Sequence, residues 1–499
     1  MIWTQSAGDC RQVCASVKAA DLQTCRWPGA LLAGYLLLAA TASAQTLTTL
    51  AYFNFYNGAV PSQPLTQGTD GNFYGTTSSG GLYNQGVAFS VSPDGVLTVL
   101  KNFNLLNGSV PEGLILGSDG NLYGATQLGA HASGSCGVGC GTLYRLAPTG
   151  ALTTIFAFNS QDGSTPQWPL AQKTAGRFYG TTAVGGLGGD GTVFGIIAGG
   201  ALTTLASFAG SNGSEPGALI VGSDGSLYGT TLEGGSSRNC TTGCGTVFKV
   251  SAQGRLITLA SFDGTHGSEP SGALAEGANG DLYGTTYLGG TSDNCGGGCG
   301  TVFRISPTGQ ITTVINFDRT SNGARPRFGL VPGSDGNFYG TTEWGGTATV
   351  CGNGCGTVFQ LTPQGQLTTL VSFDFSDGQT PDGLTQGTDG SLYGVTAVGG
   401  PTPSDGTVFK LDLSLKPFVL ANPGFGGSGS KVLILGTSLG AATAVFFNGA
   451  PASFKVLSPT AIAAFVPQGA TSGVVTVTTP AMTLATKTGF VVVPGSPEG

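Results

Sequence analysis

Charged side chains are scarce in this sequence. Asp, Glu, Lys and Arg make up 9% of its 499 residues, against about 25% in ordinary globular proteins. The formal net charge is −7, and Lys and Arg are nowhere collected into a basic stripe. Nucleic acids and anionic membrane surfaces are bound through such stripes, so we expect neither as a partner.

Histidine is almost absent as well, since His131 and His266 are the only two. The segment Gly436–Gly440 matches the Gly-x-Ser-x-Gly pattern of a nucleophile elbow. That elbow requires a strand-to-helix turn and a later histidine, and no histidine follows His266. A turn at a strand end is the simpler interpretation. With no catalytic set of residues, we expect that the protein is not an enzyme and that it holds no cofactor.

Helical periodicity is also missing, whereas a long repeat is present. A Tyr-Gly pair recurs 49 to 56 residues apart. Its copies begin at Tyr74, Tyr123, Tyr179, Tyr228, Tyr283, Tyr339 and Tyr393. Each copy reads as an apolar run with an Asp-Gly type turn, a Tyr-Gly-Thr-Thr strand, a Gly-rich loop, a Gly-Thr-Val-Phe strand and a Leu-Thr-Thr-Leu strand. Four strands per unit, here A to D, are typical of a β-propeller blade.

The two ends of the repeat array are complementary. A Leu-Thr-Thr-Leu strand at Leu47–Leu50 precedes any A strand, while the last repeat, through Gly406–Phe409, has no D strand after it. A closed ring accommodates both ends, because the first strand completes the last blade and leaves no exposed edge. The sequence therefore predicts an all-β chain with a seven-bladed propeller over residues 46–413.

The N-terminal 44 residues resemble an export signal. Trp27–Ala40 is apolar, and Thr41–Ala44 ends in an Ala-x-Ala type cleavage site. The alternatives are a membrane anchor, for which the run is shorter than the ~20 residues required, and an assigned start upstream of the true one. We expect cleavage after Ala44, no later membrane insertion, and a monomer that is secreted or on the cell surface.

Eight of the 11 cysteines lie beyond this leader, all in Cys-x-x-x-Cys pairs within B–C loops. The pairs are Cys136 with Cys140, Cys240 with Cys244, Cys295 with Cys299, and Cys351 with Cys355. Local disulfides fit export to an oxidising compartment. An all-cysteine zinc site would require pairs from different blades to converge, and the spacing is not the Cys-x-x-Cys of redox motifs.

Residues 416–494 have a different pattern, with no Tyr-Gly repeat and no cysteine. Short alternating strands separated by turns such as Asn448-Gly449 predict an immunoglobulin-like β-sandwich. Residues 495–499 form a tail with no recognisable signal.

Both segments resemble known families. The repeat Gly-x-Asp-Gly-x-Leu-Tyr-Gly-Thr-Thr, with Gly-Thr-Val-Phe and Leu-Thr-Thr-Leu, resembles the GloVer tandem repeat of exported bacterial proteins, whose biochemical function is uncharacterised. Val432–Leu439, Ala442–Gly449, Ser458–Ile462 and Val466–Gly473 are similar to an IPT/TIG domain. That resemblance implies a spacer or binding module.

A weaker similarity links Asp119–Tyr123 to the blade motif of virginiamycin B lyase, a seven-bladed propeller enzyme. That resemblance implies a histidine acid or base and acidic metal ligands. Neither His131 nor His266 stands in a matching motif, so the fold carries over and the activity does not.

Two ends of the blades could carry ligands. The Asp residues of the A–B turns could bind calcium through clustered oxygens, although their turn role alone explains them; they are Asp70, Asp119, Asp224, Asp335 and Asp389. The opposite end carries the long B–C loops and the Gly-x-x-Pro motifs of the D–A loops, and function usually lies in long loops. Candidate ligand-binding residues there are Trp168, Trp344, Glu215, Glu269, His266 and Arg325, with His131, Arg238 and Arg327 nearby.

The preferred function is extracellular recognition of a glycan or a protein through this loop end. A lyase-like propeller enzyme and a passive spacer of the cell envelope are the alternatives. Aromatic residues converging with carboxylates would favour binding or catalysis, whereas a spacer would have no defined pocket.

Overall fold

The computed structural model describes residues 45–129, 136–251, 253–401 and 405–493. The predicted signal peptide, His131 and the predicted tail lie outside the described residues. The prediction of an all-β chain is confirmed, because helix within these ranges is limited to the 3₁₀ turn Leu439–Ala441.

The described part of residues 46–412 contains seven antiparallel sheets with one strand order, A-B-C-D. They are numbered here 1 to 7 along the chain. In sheets 1, 2, 4 and 5 strand A is divided into two short pieces that both pair with strand B.

The strand bounds repeat regularly. Strands A are Ala59–Pro61 with Thr66–Gln67, Ser109–Pro111 with Ile115–Leu116, Ala171–Thr174, Ser214–Pro216 with Ile220–Val221, Ser268–Pro270 with Ala275–Glu276, Val331–Pro332 and Gln379–Gln386. Strands B are Phe73–Ser79, Leu122–Leu128, Arg177–Thr182, Leu227–Glu233, Leu282–Leu288, Phe338–Thr342 and Leu392–Val398. Strands C are Val87–Val91, Thr142–Leu146, Thr192–Ile197, Thr246–Val250, Thr301–Ile305, Thr357–Leu361 and Thr407–Asp412. Strands D are Leu97–Asn102, Leu152–Ala157, Leu202–Ser207, Leu256–Ser261, Ile311–Asn316, Leu367–Ser372 and, for sheet 7, Thr46–Tyr52.

Strand D of sheet 7 comes from the N-terminus, as the repeat count predicts. Thr46–Tyr52 pairs antiparallel with Thr407–Asp412. Phe53 then donates its backbone N–H to the Gly406 carbonyl at 3.0 Å and is buried against Phe89 of sheet 1, with ring centroids 5.0 Å apart.

A set of hydrogen bonds joins each sheet to the one before it. The residue before the proline of Gly-x-x-Pro donates its N–H to a carbonyl just before strand C of the preceding sheet, at 2.8–3.2 Å. The pairs are Val60 to Asp405, Val110 to Gln85, Thr165 to Cys140, Glu215 to Asp190, Glu269 to Cys244, Arg325 to Cys299 and Thr380 to Cys355. The bond from Val60 joins sheet 1 to sheet 7, so the series returns to its beginning.

The donor residues of these bonds share a strained backbone. All seven have φ between 51° and 58°. Non-glycine residues rarely adopt this left-handed region, and Val60 and Val110 are β-branched, for which it is an outlier. The strain is therefore tied to the contacts between sheets at the loop end, the end with the B–C and D–A loops.

The cysteine pairs support the same contacts. Each pair forms a disulfide with its Cα atoms 5.1–5.3 Å apart, and the second cysteine of each accepts the inter-sheet hydrogen bond. The disulfide thus holds the loop that receives the next sheet.

Replacing Cys240 and Cys244 together by alanine should lower the free energy of unfolding by about 2 kcal/mol, because the cross-link closes a loop of only about five residues. Urea denaturation of the oxidised protein measures this. Adding reductant to the double variant serves as the control, since it reports on the other three pairs. A loss below about 0.5 kcal/mol would show that the loop is held without its disulfide.

Residues 419–492 form a separate β-structure. One sheet has the order Leu420–Asn422, Lys431–Leu435, Ala461–Phe465, Phe454–Ser458, and a second has the order Ala450–Pro451, Ala444–Phe447, Val475–Thr478, Thr483–Ala485. Phe425–Gly426 pairs in parallel with Val491–Val492. Both sheets contribute to one core that includes Val432, Ile462 and Phe447.

This C-terminal structure contacts the turn end of the repeat sheets, the end with the A–B and C–D turns. Ser458 and Thr460 donate to the Thr69 carbonyl at 2.9 and 2.8 Å. Asn422 Nδ2 donates to the Leu116 carbonyl at 2.6 Å, and Lys487 Nζ donates to the Pro332 carbonyl at 2.9 Å.

In the part of the chain that the structure describes, no helix has the length and apolar character needed to cross a membrane.

Candidate functional site

The residue after each Gly-x-x-Pro proline differs from sheet to sheet. The motif occurs once in every repeat, and its following positions are Ser62, Glu112, Gln167, Gly217, Ser271, Arg327 and Asp382. They lie at the loop end of strands A, which are called the inner strands here because strands A of adjacent sheets contact one another. A variable position directly after a constant motif is where the repeat can carry function without changing the fold.

Four of these positions, Ser62, Glu112, Gln167 and Arg327, line a cavity of about 290 Å³. Four sheets line it, because Gln63, Glu112, Trp168 and Arg327 come from sheets 1, 2, 3 and 6. Trp168 meets Phe328 of sheet 6 edge to face, with ring centroids 6.2 Å apart. The sequence-predicted candidate Trp168 is therefore a wall of the cavity.

Glu112 is the buried carboxyl of this cavity, 3% exposed. Gln127 Nε2 donates to its Oε1 at 2.6 Å, and Gln63 Nε2 donates to its Oε2. Burial raises the pKa of Glu112 to about 8, against the lowering effects of the two amide hydrogen bonds and of Arg327. Gln63 is 8% exposed, and its Oε1 has no hydrogen-bond partner within the described structure.

Asp382 is a second buried carboxyl at the equivalent position of sheet 7. It is 4% exposed, and its Oδ2 has no partner among the described residues. Burial raises its pKa to about 7, while the charge of Arg327 opposes the shift. The exposed guanidinium of Arg327 thus acts electrostatically on both buried carboxyls.

Arg325 and Trp344 form a second cluster at the loop end. The Arg325 guanidinium lies 3.6 Å from the Trp344 ring centroid, and its Nη1 donates to the Tyr287 hydroxyl at 3.3 Å. Tyr287 in turn donates to Glu343 at 2.7 Å. Because arginine covers this ring face, Trp344 offers less stacking surface than its sequence position predicts.

The other sequence-predicted candidates are not among the residues that line the cavity. Burial raises the pKa of Glu215 and of Glu269, and the charge of Glu233 adds to both shifts. His266 bonds Asp263 within its own turn through Nδ1 at 2.9 Å. Arg238 is exposed in the B–C loop of sheet 4. The structure thus brings Arg325 into contact with Trp344. It places Glu215 and Glu269 near the Glu233 carboxylate, whereas His266 bonds only within its own turn.

The turn-end aspartates serve the repeat itself. Asp70, Asp119, Asp224, Asp335 and Asp389 each accept the hydroxyl of the tyrosine four residues later, at 2.8–3.0 Å. Each also accepts a backbone N–H of its own turn. No group of three or more His, Cys, Asp or Glu suited to a metal ion occurs within the described ranges. Calcium binding stays a prediction.

Sequence reasoning missed Glu112, Asp382, Gln63 and Gln127. It favoured the long loops, whereas Gln127 and Asp382 lie on strands, and Gln63 and Glu112 lie between the two pieces of a divided strand A. Aligning the repeats on Gly-x-x-Pro would have found two of them, because a carboxylate there replaces small or neutral residues of other copies.

The model of a known repeat family matches most of the chain. This family, described as the Gloeobacter/Verrucomicrobia repeat, matches residues 33–242 and 237–426. The chain belongs to the Gloeobacter/Verrucomicrobia repeat family. The GloVer resemblance predicted from the sequence is therefore confirmed, while the matched residues of the Gloeobacter/Verrucomicrobia repeat end before most of the C-terminal structure.

Solved structures similar to this Gloeobacter/Verrucomicrobia repeat protein are distant. A gluconolactonase of Xanthomonas campestris, XC5397, is 15% identical with a TM-score of 0.38, over 76% of this chain and 92% of that one. A luciferin-regenerating enzyme is 12% identical with a TM-score of 0.39, over 63% and 95%. The extracellular domain of BT4673 from B. thetaiotaomicron is 10% identical with a TM-score of 0.48, over 88% and 52%. No curated protein matches the sequence.

These neighbours correct one prediction. Two of them are enzymes. This finding contradicts the expectation that the protein is not an enzyme. Their identities and TM-scores transfer no activity, substrate or site to this member of the Gloeobacter/Verrucomicrobia repeat family.

Proposed function

We propose that the protein is an exported recognition protein that binds a sugar unit of a glycan in the cavity lined by Trp168 and Glu112. Its parts would be a signal peptide over residues 1–44, a seven-bladed propeller over 46–413 closed by the N-terminal strand, and an IPT/TIG-like domain over 416–494. The returning series of inter-sheet hydrogen bonds supports closure.

The composition of the cavity carries the proposal. Trp168 and Phe328 supply apolar ring surface, and Gln63, Gln127 and Glu112 supply hydrogen-bonding groups beside it. Such a combination suits a sugar, which has apolar C–H faces and a rim of hydroxyls. Ligand sites commonly combine aromatic walls with a few placed polar groups. A passive spacer would have no reason for buried carboxyls at this position.

Export is supported by the disulfides, which persist in oxidising compartments and are consistent with an extracellular protein. The low charge and net charge of −7 favour a neutral partner over nucleic acid. A protein ligand on the loop end is the other partner compatible with this location.

An enzyme acting on a sugar is the second candidate. Two buried carboxyls with raised pKa, Glu112 and Asp382, lie near one guanidinium. A carboxyl that keeps its proton near neutral pH can act as a general acid. Turnover of a bound glycan that is lost in Asp382→Asn while binding persists would favour this candidate.

A glycan array probed with the secreted protein, with and without calcium, tests the proposal. We expect Trp168→Ala to weaken binding of the selected glycan at least tenfold, because it removes the aromatic wall. Trp344→Ala is the matched control on the same end of the sheets, and it should change binding less than threefold because Arg325 already covers its ring. Equal losses in the two variants, or no binding to any glycan, would contradict the proposed site.

A further inference from the structure

We infer that the cavity is a blind pocket, open at the loop end and closed toward the turn end, that takes the terminal unit of a neutral glycan. The C-terminal structure covers the opposite end of the inner strands. This inference rests on the proposed function and adds to it which part of the glycan enters.

The first observation is how closely the inner strands approach one another beside the cavity. A Cβ placed on Gly113 would lie 2.6 Å from Pro169 of the next sheet, and one on Gly383 would lie 2.3 Å from Pro64 of sheet 1. Trp168 and Phe328 come from sheets that are not neighbours, yet their rings meet at 6.2 Å. Side chains therefore fill the middle of the inner strands instead of leaving a through-channel.

The second observation is the cover at the turn end. The C-terminal structure bonds the turn-end segments of sheets 1, 2 and 6 at Thr69, Leu116 and Pro332. Lys487 Nζ also donates to Gln386 of sheet 7 at 3.1 Å. Phe425–Gly426 contacts strand A of sheet 3. Five inner strands are thus covered at their turn ends, and a chain could not pass through.

The third observation concerns the hydrogen-bonding groups, charge and size that the ligand must have to fit the cavity. Both Glu112 oxygens already accept amide hydrogens, and the buried Gln63 Oε1 has no donor among the described residues. A hydroxyl of the ligand can supply that donor, and leaving such a group unpaired is costly. The net charge of −7 disfavours an anionic sugar. A cavity of about 290 Å³ is at the small end of ligand pockets, which are about 300–1,000 Å³, and it suits a single ring.

The test uses the full secreted protein and three probes for each glycan that binds on the array. The probes are the oligosaccharide, the methyl glycoside of its terminal monosaccharide, and the oligosaccharide capped by one further sugar of a different type. We expect the methyl glycoside to displace the oligosaccharide completely and the cap to weaken binding at least tenfold. Capped and uncapped glycans of equal affinity would overturn the blind pocket while leaving glycan recognition standing.

A blocking variant adds an independent readout. Ser78 lines the cavity, and the equivalent position of sheet 5 is naturally Tyr287, so tyrosine is compatible with this place in the repeat. Ser78→Tyr should weaken oligosaccharide binding at least tenfold by filling the mouth. The matched control is Ala397→Tyr, at the same repeat position in sheet 7, which is not among the residues that line the cavity. Equal binding by both variants would contradict entry at this mouth.

Discussion

Gly406→Ala is expected to lower the free energy of unfolding by more than about 3 kcal/mol. Gly406 has φ +90°, and an added Cβ would lie 2.3 Å from the Thr396 carbonyl oxygen and 2.8 Å from Pro61 Cδ. The left-handed backbone costs an alanine about 1–2 kcal/mol, and overpacking typically adds about 1–3 kcal/mol. A carbonyl oxygen in a paired strand cannot move aside easily.

Gly406 lies at the contact between sheet 7 and sheet 1. Gly406 precedes strand C of sheet 7, its carbonyl binds Phe53 of the N-terminal segment, and Pro61 belongs to sheet 1. The new methyl group therefore acts where the two ends of the repeat array meet. We expect the variant to unfold at lower urea and to associate through the sheet edge that it exposes, as exposed edges do. Urea denaturation and size-exclusion chromatography measure the two effects.

Gly120→Ala is the matched control. Gly120 has a nearly identical φ of +87°, and nothing lies within 4 Å of its added Cβ. This control carries the backbone cost without the clash, and it should lose only about 1–2 kcal/mol. If Gly406→Ala costs no more than Gly120→Ala, the contact between sheets 7 and 1 does not hold the array together.

The strand pattern was predictable because the same strand motifs occur in seven successive repeats. Strands such as Leu227–Glu233 and Thr246–Val250 lie where Tyr-Gly-Thr-Thr and Gly-Thr-Val-Phe place them. The pairing of Thr46–Tyr52 with the last repeat followed from counting strands. The division of strand A was not predictable, because every repeat carries Gly-x-x-Pro, yet strand A is divided in sheets 1, 2, 4 and 5 and continuous through Pro381 in sheet 7.

The candidate site was harder to predict, because contacts between repeats decide it. Trp168 and Trp344 look equivalent in the sequence, yet one faces Phe328 across the cavity and the other is covered by Arg325. Glu112 resembles any surface glutamate until Gln63 and Gln127, from two sheets, are seen to enclose it. The sequence carries the composition of each repeat but not which side chains of distant repeats meet.

Glu112→Gln should stabilise the protein at pH 8.5 and leave its stability almost unchanged at pH 4.5. Burial raises the pKa of Glu112 from 4.5 to about 8. The unfolded chain therefore loses this proton at lower pH than the folded protein, and folding becomes less favourable as pH rises from about 4.5 to 8. A shift of this size corresponds to a loss on the order of 5 kcal/mol. Urea denaturation of both proteins at the two pH values measures it.

Glutamine at position 112 keeps the shape and both hydrogen-bonding partners, since the Gln63 amide can turn its unpaired Oε1 toward the new N–H. Glu276→Gln, on the turn end where Glu276 accepts from Ser223, controls for removing a carboxylate outside the cavity. An equal effect of Glu112→Gln at both pH values would mean that Glu112 is ionised throughout. The two amide bonds, each worth about 1.5–3 kcal/mol to a charged group, would then outweigh burial, and the carboxyl would serve as a hydrogen-bond acceptor for the ligand instead of a proton donor.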